Sequence, residues 1–167
     1  YSSDIILCSR SKTNINSLDK ILKNVTEYSK DTLSELINNN RPCKIINCVG
    51  IKNSDAKEEE LNLINSKLPI ILANVLDQKK DGSKLIHIST NGVFSGSKGN
   101  YTETDEPDPV NSYGKSKLKG EITHSPHLTI RTSIIGPELK SHKGLFEWFL
   151  RQKNEIKGFT EVKWNGV

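Results

Sequence analysis

Short continuous apolar runs alternate along this chain with longer stretches of helical periodicity. The runs at residues 4–8, 44–49, 84–89 and 127–131 are of strand length and are bounded by polar or turn-forming residues, so they predict buried β-strands. Residues 32–39 place Leu33, Leu36 and Ile37 at helical spacing, and Asn38-Asn39-Asn40-Arg41-Pro42 closes that helix with turn formers and a proline. A long helix is predicted over residues 54–78, with Asp55 as its cap and Glu58, Glu59 and Glu60 enriching its first turns. Its apolar stripe is Leu61, Ile64, Leu68, Ile71, Leu72, Val75 and Leu76, and Pro69 predicts a kink within it. Two further helices are predicted at residues 112–122 and 145–153, the latter amphipathic through Leu145 and Phe149 with Trp148 nearby. The intervening stretch at residues 91–111 is rich in Gly, Ser, Asn, Asp and Pro. A loop of that length is either functional or disordered.

Strands therefore alternate with helices throughout. The strands are continuous apolar runs rather than alternating ones, which predicts a parallel sheet covered on both faces, an α/β doubly wound architecture. In such sheets ligands bind beyond the carboxyl ends of the strands. That directs attention to Ser9-Arg10, Cys48-Val49-Gly50, Ser89-Thr90 and Arg131-Thr132-Ser133.

With 167 residues the chain is long enough for one domain with a sizeable core. Its hydrophobic fraction is 34%, and no apolar run approaches the length of a membrane helix, so no membrane association is expected. The formal net charge is +4, but the lysines are scattered rather than gathered in a stripe, which speaks against nucleic acid as a partner. The three cysteines, Cys8, Cys43 and Cys48, are odd in number and form no CxxC pair, so neither a disulfide framework nor a zinc site is expected. Cys8 and Cys48 lie in apolar runs and are expected to be small core residues of a protein in a reducing cytoplasm. His124, His127 and His142 show no ligand spacing on one element, and no metal is expected. His87 is expected to be a packed core histidine, and Trp148 with Phe149 core residues, with an interface as the alternative.

Candidate chemistry gathers around the long loop. Tyr113 and Lys117 stand four apart on a predicted helix, hence one turn apart on one face. A nearby ammonium favours the phenolate and lowers the pKa of a tyrosine, which would make the pair a proton donor for a carbonyl or a base for an alcohol. The same spacing also arises on an ordinary solvated helix face. Thr90, just past the third strand, can hydrogen-bond a substrate carbonyl, or can simply satisfy a strand-end turn. Arg10, just past the first strand, is placed to accommodate a 2′-phosphate and leans the cofactor preference to NADP(H) over NAD(H), with a plain surface arginine as the alternative. Glu103 and Asp105 read as an exposed loop rather than a catalytic pair.

Five stretches carry a family resemblance: residues 45–50 (Ile-Ile-Asn-Cys-Val-Gly), 87–96 (His-Ile-Ser-Thr-Asn-Gly-Val-Phe-Ser-Gly), 101–107 (Tyr-Thr-Glu-Thr-Asp-Glu-Pro), 111–117 (Asn-Ser-Tyr-Gly-Lys-Ser-Lys) with Gly120-Glu121, and 130–136 (Ile-Arg-Thr-Ser-Ile-Ile-Gly). Over essentially its whole length the chain resembles the extended short-chain dehydrogenase/reductases, and most the dTDP-4-dehydrorhamnose reductase branch of nucleotide-sugar enzymes. The resemblance implies a Rossmann-type sheet in which Thr90, Tyr113 and Lys117 match the catalytic triad, with Lys117 also holding the nicotinamide ribose. It places Cys48, Val49 and Gly50 along the cofactor, Asn24 and Val25 on the adenine side, Asn65 behind the triad, and Thr132 and Ser133 beside the nicotinamide carboxamide.

The implied activity is NAD(P)H-dependent reduction of a nucleotide-linked 4-keto-6-deoxysugar for cell-surface polysaccharide. An NAD-dependent epimerase or dehydratase of the same superfamily is the first alternative, and a non-catalytic binding or regulatory homologue the second. A homodimer is common in the family. The family's opening strand and Gly-rich phosphate-binding turn have no counterpart in these residues. Residues 1–167 are thus expected to be a partial NAD(P)-binding domain, with the substrate-binding region beginning near residue 137. Asn91-Gly92 stands where Asp-Tyr often follows the threonine in the rhamnose branch, and Asn91 also counts against a dehydratase. Cys48-Val49-Gly50 is bulkier than the family's usual small-residue run.

Overall fold

The structure, a computed structural model, describes residues 28–52, 56–137 and 144–158, together with the strand backbone of Cys8–Ser9 and Lys23–Asn24. The chain divides into two compact units, Tyr1–Arg41 and Pro42–Val167.

In the first unit, β1 (Cys8–Ser9) pairs in parallel with β2 (Lys23–Asn24). The helix α1 (Lys30–Asn40) starts at Ser29, whose hydroxyl accepts from the Thr32 N–H at 3.2 Å. It ends where Arg41 enters the left-handed region (φ 44°) and returns its N–H to the Ile37 carbonyl. Leu33 and Ile37 are its buried residues, as their spacing predicted.

The second unit is built on a three-stranded parallel sheet in the order β3–β4–β5, with β3 at Lys44–Asn47, β4 at Lys84–Ile88 and β5 at Leu128–Ile130. Helices carry both crossovers, which parallel pairing requires. Between β3 and β4 the chain forms α2 (Glu58–Leu61), a π-helical segment (Asn62–Lys67) and α3 (Leu68–Lys79). The single long helix expected here is therefore interrupted, although its stripe of Leu61, Ile64, Leu68, Leu72, Val75 and Leu76 is buried, with Ile71 half-buried. The cause is Pro69, which has no N–H to give the Asn65 carbonyl. The backbone instead widens, and the Leu68 N–H reaches back to Leu63. Asp55 lies outside the described residues; Lys57 precedes the first turn, its N–H given to the Glu60 carboxylate at 3.3 Å.

Between β4 and β5 lie a 3-10 turn (Asn91–Val93), the long loop, and α4 (Ser112–Lys119), capped by the Asn111 side chain accepting from the Gly114 N–H at 2.8 Å. The loop is ordered by its own bonds. Phe94 stacks on Tyr101 with centroids 4.3 Å apart, the Ser95 N–H reaches the Asp108 carboxylate at 2.7 Å, and Asp105 pairs with Lys98 and receives the Thr102 N–H. The last described helix is α5 (Leu145–Leu150).

Among the described residues, one face of the sheet is buried and the other is partly exposed. Leu85, His87 and Asn47 are buried, whereas Ile46, Leu128 and Ile130, which share the opposite face by register, are 64%, 51% and 38% exposed. Apolar runs meant for a doubly covered sheet thus alternate in burial here. Trp148 and Phe149, expected in the core, are likewise exposed. Among the described residues no helix is long and apolar enough to cross a membrane.

Candidate functional site

The carboxyl ends of β3, β4 and β5 deliver the expected residues to one edge, and α4 runs beside them. Thr90 follows β4 and is buried. Its Oγ accepts the Gly92 N–H at 3.1 Å, so its own hydrogen is directed elsewhere. The Tyr113 phenol, on the first turn of α4, stands beside it. Burial raises the Tyr113 pKa above its ordinary value of 10, and the hydrogen bond with Thr90 pulls it back only in part. This phenol is protonated at neutral pH. The downward pull expected from Lys117 is not what governs it. Gly114 fixes the approach of this pair, because a Cβ there would lie 2.3 Å from the Gly92 carbonyl oxygen.

Lys117 lies one turn further along α4, 3% exposed. Its Nζ donates to the Ile88 carbonyl at 2.7 Å and stands 3.5 Å from His87 Nε2. Burial brings its pKa down from 10.5 to about 8, opposed by the charges of Glu121 and Cys48. Behind it, His87 is fully buried on β4, and its Nδ1 lies 3.2 Å from the Asn47 side-chain nitrogen. In front, the space next to Gly50 is open to Lys117: a Cβ on Gly50 would stand 3.8 Å from Nζ and 3.5 Å from Asn65 Oδ1. The carboxyl edge of β3 therefore offers bare backbone beside a buried amine, a setting suited to the ribose hydroxyls of a nucleotide cofactor.

Two polar clamps hold this edge. Asn65, from the π-helical segment, accepts the Ile51 N–H and donates to the Ile51 carbonyl and to Ser116 Oγ, each at 2.9 Å. Ser66 donates to the Ser116 carbonyl at 2.8 Å. On the other side Glu121, 5% exposed, receives two N–H groups of Arg131 (shortest 2.7 Å) and the Ser89 hydroxyl at 2.7 Å. The Arg131 guanidinium lies over the Phe94 ring at 5.1 Å, which ties the strand end to the long loop.

Thr90, Tyr113, Lys117, Cys48, Val49 and Gly50 are thus brought to one edge. Thr132 and Ser133 join it just past β5, where the Thr132 carbonyl accepts the Asn91 N–H at 3.2 Å. Cys48 corrects its expected core role. It is exposed, because the ladder ends at Asn47 and the chain has already left the sheet. Arg10, Val25 and His142 lie outside the described residues, Cys8 and Asn24 are described only as strand backbone, and the expected boundary near 137 adjoins undescribed residues 138–143. Sequence reasoning gave no role to Asn47, Ser116, Glu121 or Arg131. A polar residue closing an apolar run and a Glu four residues after Lys117 were the available signals.

At the opposite end of the sheet, Asp77 receives His124 at 3.0 Å and His127 at 3.1 Å, a trio with the composition of a metal site. Yet His127 Nδ1 already accepts the Leu85 N–H at 3.0 Å, so its Nε2 carries the proton that faces Asp77. A metal on Nε2 would have to displace that proton, and the trio is better described as a hydrogen-bonded cluster.

The RmlD substrate binding domain family matches residues 7–161. The chain belongs to this family. Among curated relatives, the dTDP-4-dehydrorhamnose reductase of Burkholderia thailandensis is 34% identical over 113 residues, covering 63% of this chain and 37% of the relative. The methionine adenosyltransferase 2 subunit beta of Danio rerio is 35% identical over 115 residues, covering 66% of this chain and 35% of the relative. Among solved structures, a hypothetical dTDP-4-dehydrorhamnose reductase from Sulfolobus tokodaii aligns with a TM-score of 0.67 and 31% identity, over 78% of this chain and 47% of that one. A dTDP-4-dehydrorhamnose reductase from Bacillus anthracis in complex with NADP aligns with a TM-score of 0.58 and 28% identity, over 72% and 46%. The chain thus spans a third to a half of the length of the RmlD-family relatives it matches. The Rossmann-type α/β fold of short-chain dehydrogenase/reductase nucleotide-sugar enzymes is the fold of this chain.

Proposed function

We propose that this chain carries the catalytic edge of an NADPH-dependent reductase acting on a nucleotide-linked 4-keto-6-deoxysugar. The observation that carries this reading is the half-buried, protonated Tyr113 phenol beside the Thr90 hydroxyl. A phenol that keeps its proton at neutral pH suits carbonyl reduction, in which the oxygen must gain one. Thr90 aligns the carbonyl and stabilises the charge that develops on its oxygen, and Tyr113 Oη supplies the proton. Lys117 holds the ribose hydroxyls of the cofactor, Cys48, Val49 and Gly50 line its path, and Thr132 and Ser133 receive the carboxamide. Bound NADPH supplies the hydride.

The NADP complex of the Bacillus anthracis relative supports the cofactor class, and Arg10 supports NADPH over NADH. The 1–167 segment then serves as part of the nucleotide-binding domain, with the sugar-binding region starting near residue 137. Its setting is cytoplasmic supply of deoxysugars for surface polysaccharide. The test is NADPH oxidation by the full-length protein with dTDP- and UDP-linked 4-keto-6-deoxysugars. Turnover is expected with at least one of them, and no oxidation with any would overturn the reading.

The similarity to a subunit of methionine adenosyltransferase favours a second reading, a binding subunit that keeps the fold without turnover. It predicts NADPH binding without oxidation of NADPH by any keto-sugar.

A further inference from the structure

His87 is fully buried beside Lys117, and its hydrogen-bond roles follow from its neighbours. The Val49 N–H is a backbone donor with a fixed direction, and it points at Asn47 Oδ1 at 3.1 Å. That fixes the carboxamide: the other end, facing His87 Nδ1 at 3.2 Å, is the NH2 group. An NH2 group only donates, so His87 Nδ1 must accept. A neutral imidazole with an accepting Nδ1 carries its hydrogen on Nε2, and Nε2 is the atom that faces the Lys117 amine at 3.5 Å.

An N–H aimed at an amine discriminates between the two forms of that amine. It meets the lone pair of a neutral –NH2 favourably and opposes the hydrogens of an ammonium. Lys117 Nζ still has hydrogens for the Ile88 carbonyl in either form. We propose that His87 is a positioning residue which Asn47 locks as the Nε2–H tautomer, so that it presents a donor to Lys117 and favours the neutral amine. The relation of this device to turnover rests on the reductase reading above; the device itself does not.

The other groups facing Lys117 are accounted for. Glu121 just past α4 and Cys48 beyond β3 both raise its proton affinity, and Tyr113 stands one turn away on α4. Facing His87 are the Asn47 side chain and backbone and Lys117; burial and the Lys117 charge push the His87 pKa down to about 4, against a smaller upward pull from the Asn47 backbone. His87 therefore remains a neutral donor where Lys117 titrates, at about 8. A lysine titrating there populates both amine and ammonium near neutrality, so one side chain can take up or release a proton at working pH.

The test is an NMR titration of full-length protein without cofactor or substrate, reading the His87 ring nitrogens and the Lys117 Nζ. His87 is expected to show an unprotonated Nδ1 and a protonated Nε2 between about pH 5 and 9. Lys117 is expected to titrate far below an exposed lysine. Asn47→Asp keeps an oxygen for Val49 but turns an acceptor on His87 Nδ1, so the two ring signals should exchange character. The Lys117 midpoint should then rise by about one unit or more, a tenfold change in proton affinity.

A wild-type His87 protonated on Nδ1, or on both nitrogens at neutral pH, overturns the proposal without any variant. So does an Asn47→Asp protein in which the tautomer switches and Lys117 does not move, or in which Lys117 moves while the tautomer stays. These signals require no turnover, so their failure is distinguishable from failure of the reductase assay.

Discussion

The Asn65 carboxamide pairs with both faces of one residue's backbone: Oδ1 accepts the Ile51 N–H and Nδ2 donates to the Ile51 carbonyl, each at 2.9 Å. Through its third bond, to Ser116, it fixes the exit of β3 against α4. Asn65→Ala leaves the Ile51 peptide and the Ser116 hydroxyl without these partners. It is expected to cost about 2 kcal/mol of stability. It should also weaken NADPH binding, because the segment after β3 loses its anchor. Urea denaturation and fluorescence titration of the cofactor check the two effects.

Gly114 is where α4 closes on the turn after Thr90. A Cβ there would lie 2.3 Å from the Gly92 carbonyl oxygen and 3.0 Å from Pro109 Cβ, and the first of these is backbone that cannot swing aside. Gly114→Ala is expected to destabilise by about 2 kcal/mol. It should lower kcat more than it raises the KM for NADPH, since it separates Tyr113 from Thr90 while leaving Gly50 and Lys117 in place. Steady-state kinetics alongside thermal unfolding would show both.

Two pH windows follow from the buried bases. Lys117 has a folded pKa of about 8 against an ordinary 10.5, so the unfolded chain holds more protons between these values. Its contribution therefore improves as pH rises from about 8 towards 10.5, and the full penalty applies below 8. His87, at about 4 against 6.5, acts alike in a lower window: stability falls as pH drops from 6.5 to 4. Lys117→Met should raise stability at neutral pH by about 2 kcal/mol and flatten the alkaline window. The same substitution should abolish reduction. Denaturant unfolding measured at several pH values checks the stability side.

The parts of this site that follow from residue type and spacing were legible in the sequence. Thr90 sits at a strand end, and Tyr113 with Lys117 share a helix face, so a correct placement of β4 and α4 was enough to bring them together. The parts that depend on what faces what were not. The π-helical segment at Asn62–Lys67 is hidden because the apolar period runs straight through it, and only Pro69 hinted at a break. Cys48 continues an apolar run past the last ladder residue, so the run could not show where the sheet ends. His87 read as a core residue and is one, but its bearing on Lys117 depends on the Asn47 carboxamide from a neighbouring strand. The Glu121–Arg131 pair joins the end of α4 to the end of β5, a contact set by packing rather than by local pattern.

The central claim is that Tyr113 donates the proton as a hydride reaches a sugar carbonyl. The most direct test follows deuterium from [4-2H]NADPH into a nucleotide-linked 4-keto-6-deoxysugar, with full-length wild type beside Tyr113→Phe. The account predicts label at the former carbonyl carbon for the wild type. The variant should bind NADPH as tightly and transfer label at least about 100-fold more slowly. Label transfer at the wild-type rate by Tyr113→Phe, or cofactor binding by the wild type with no label in any keto-sugar, would contradict it.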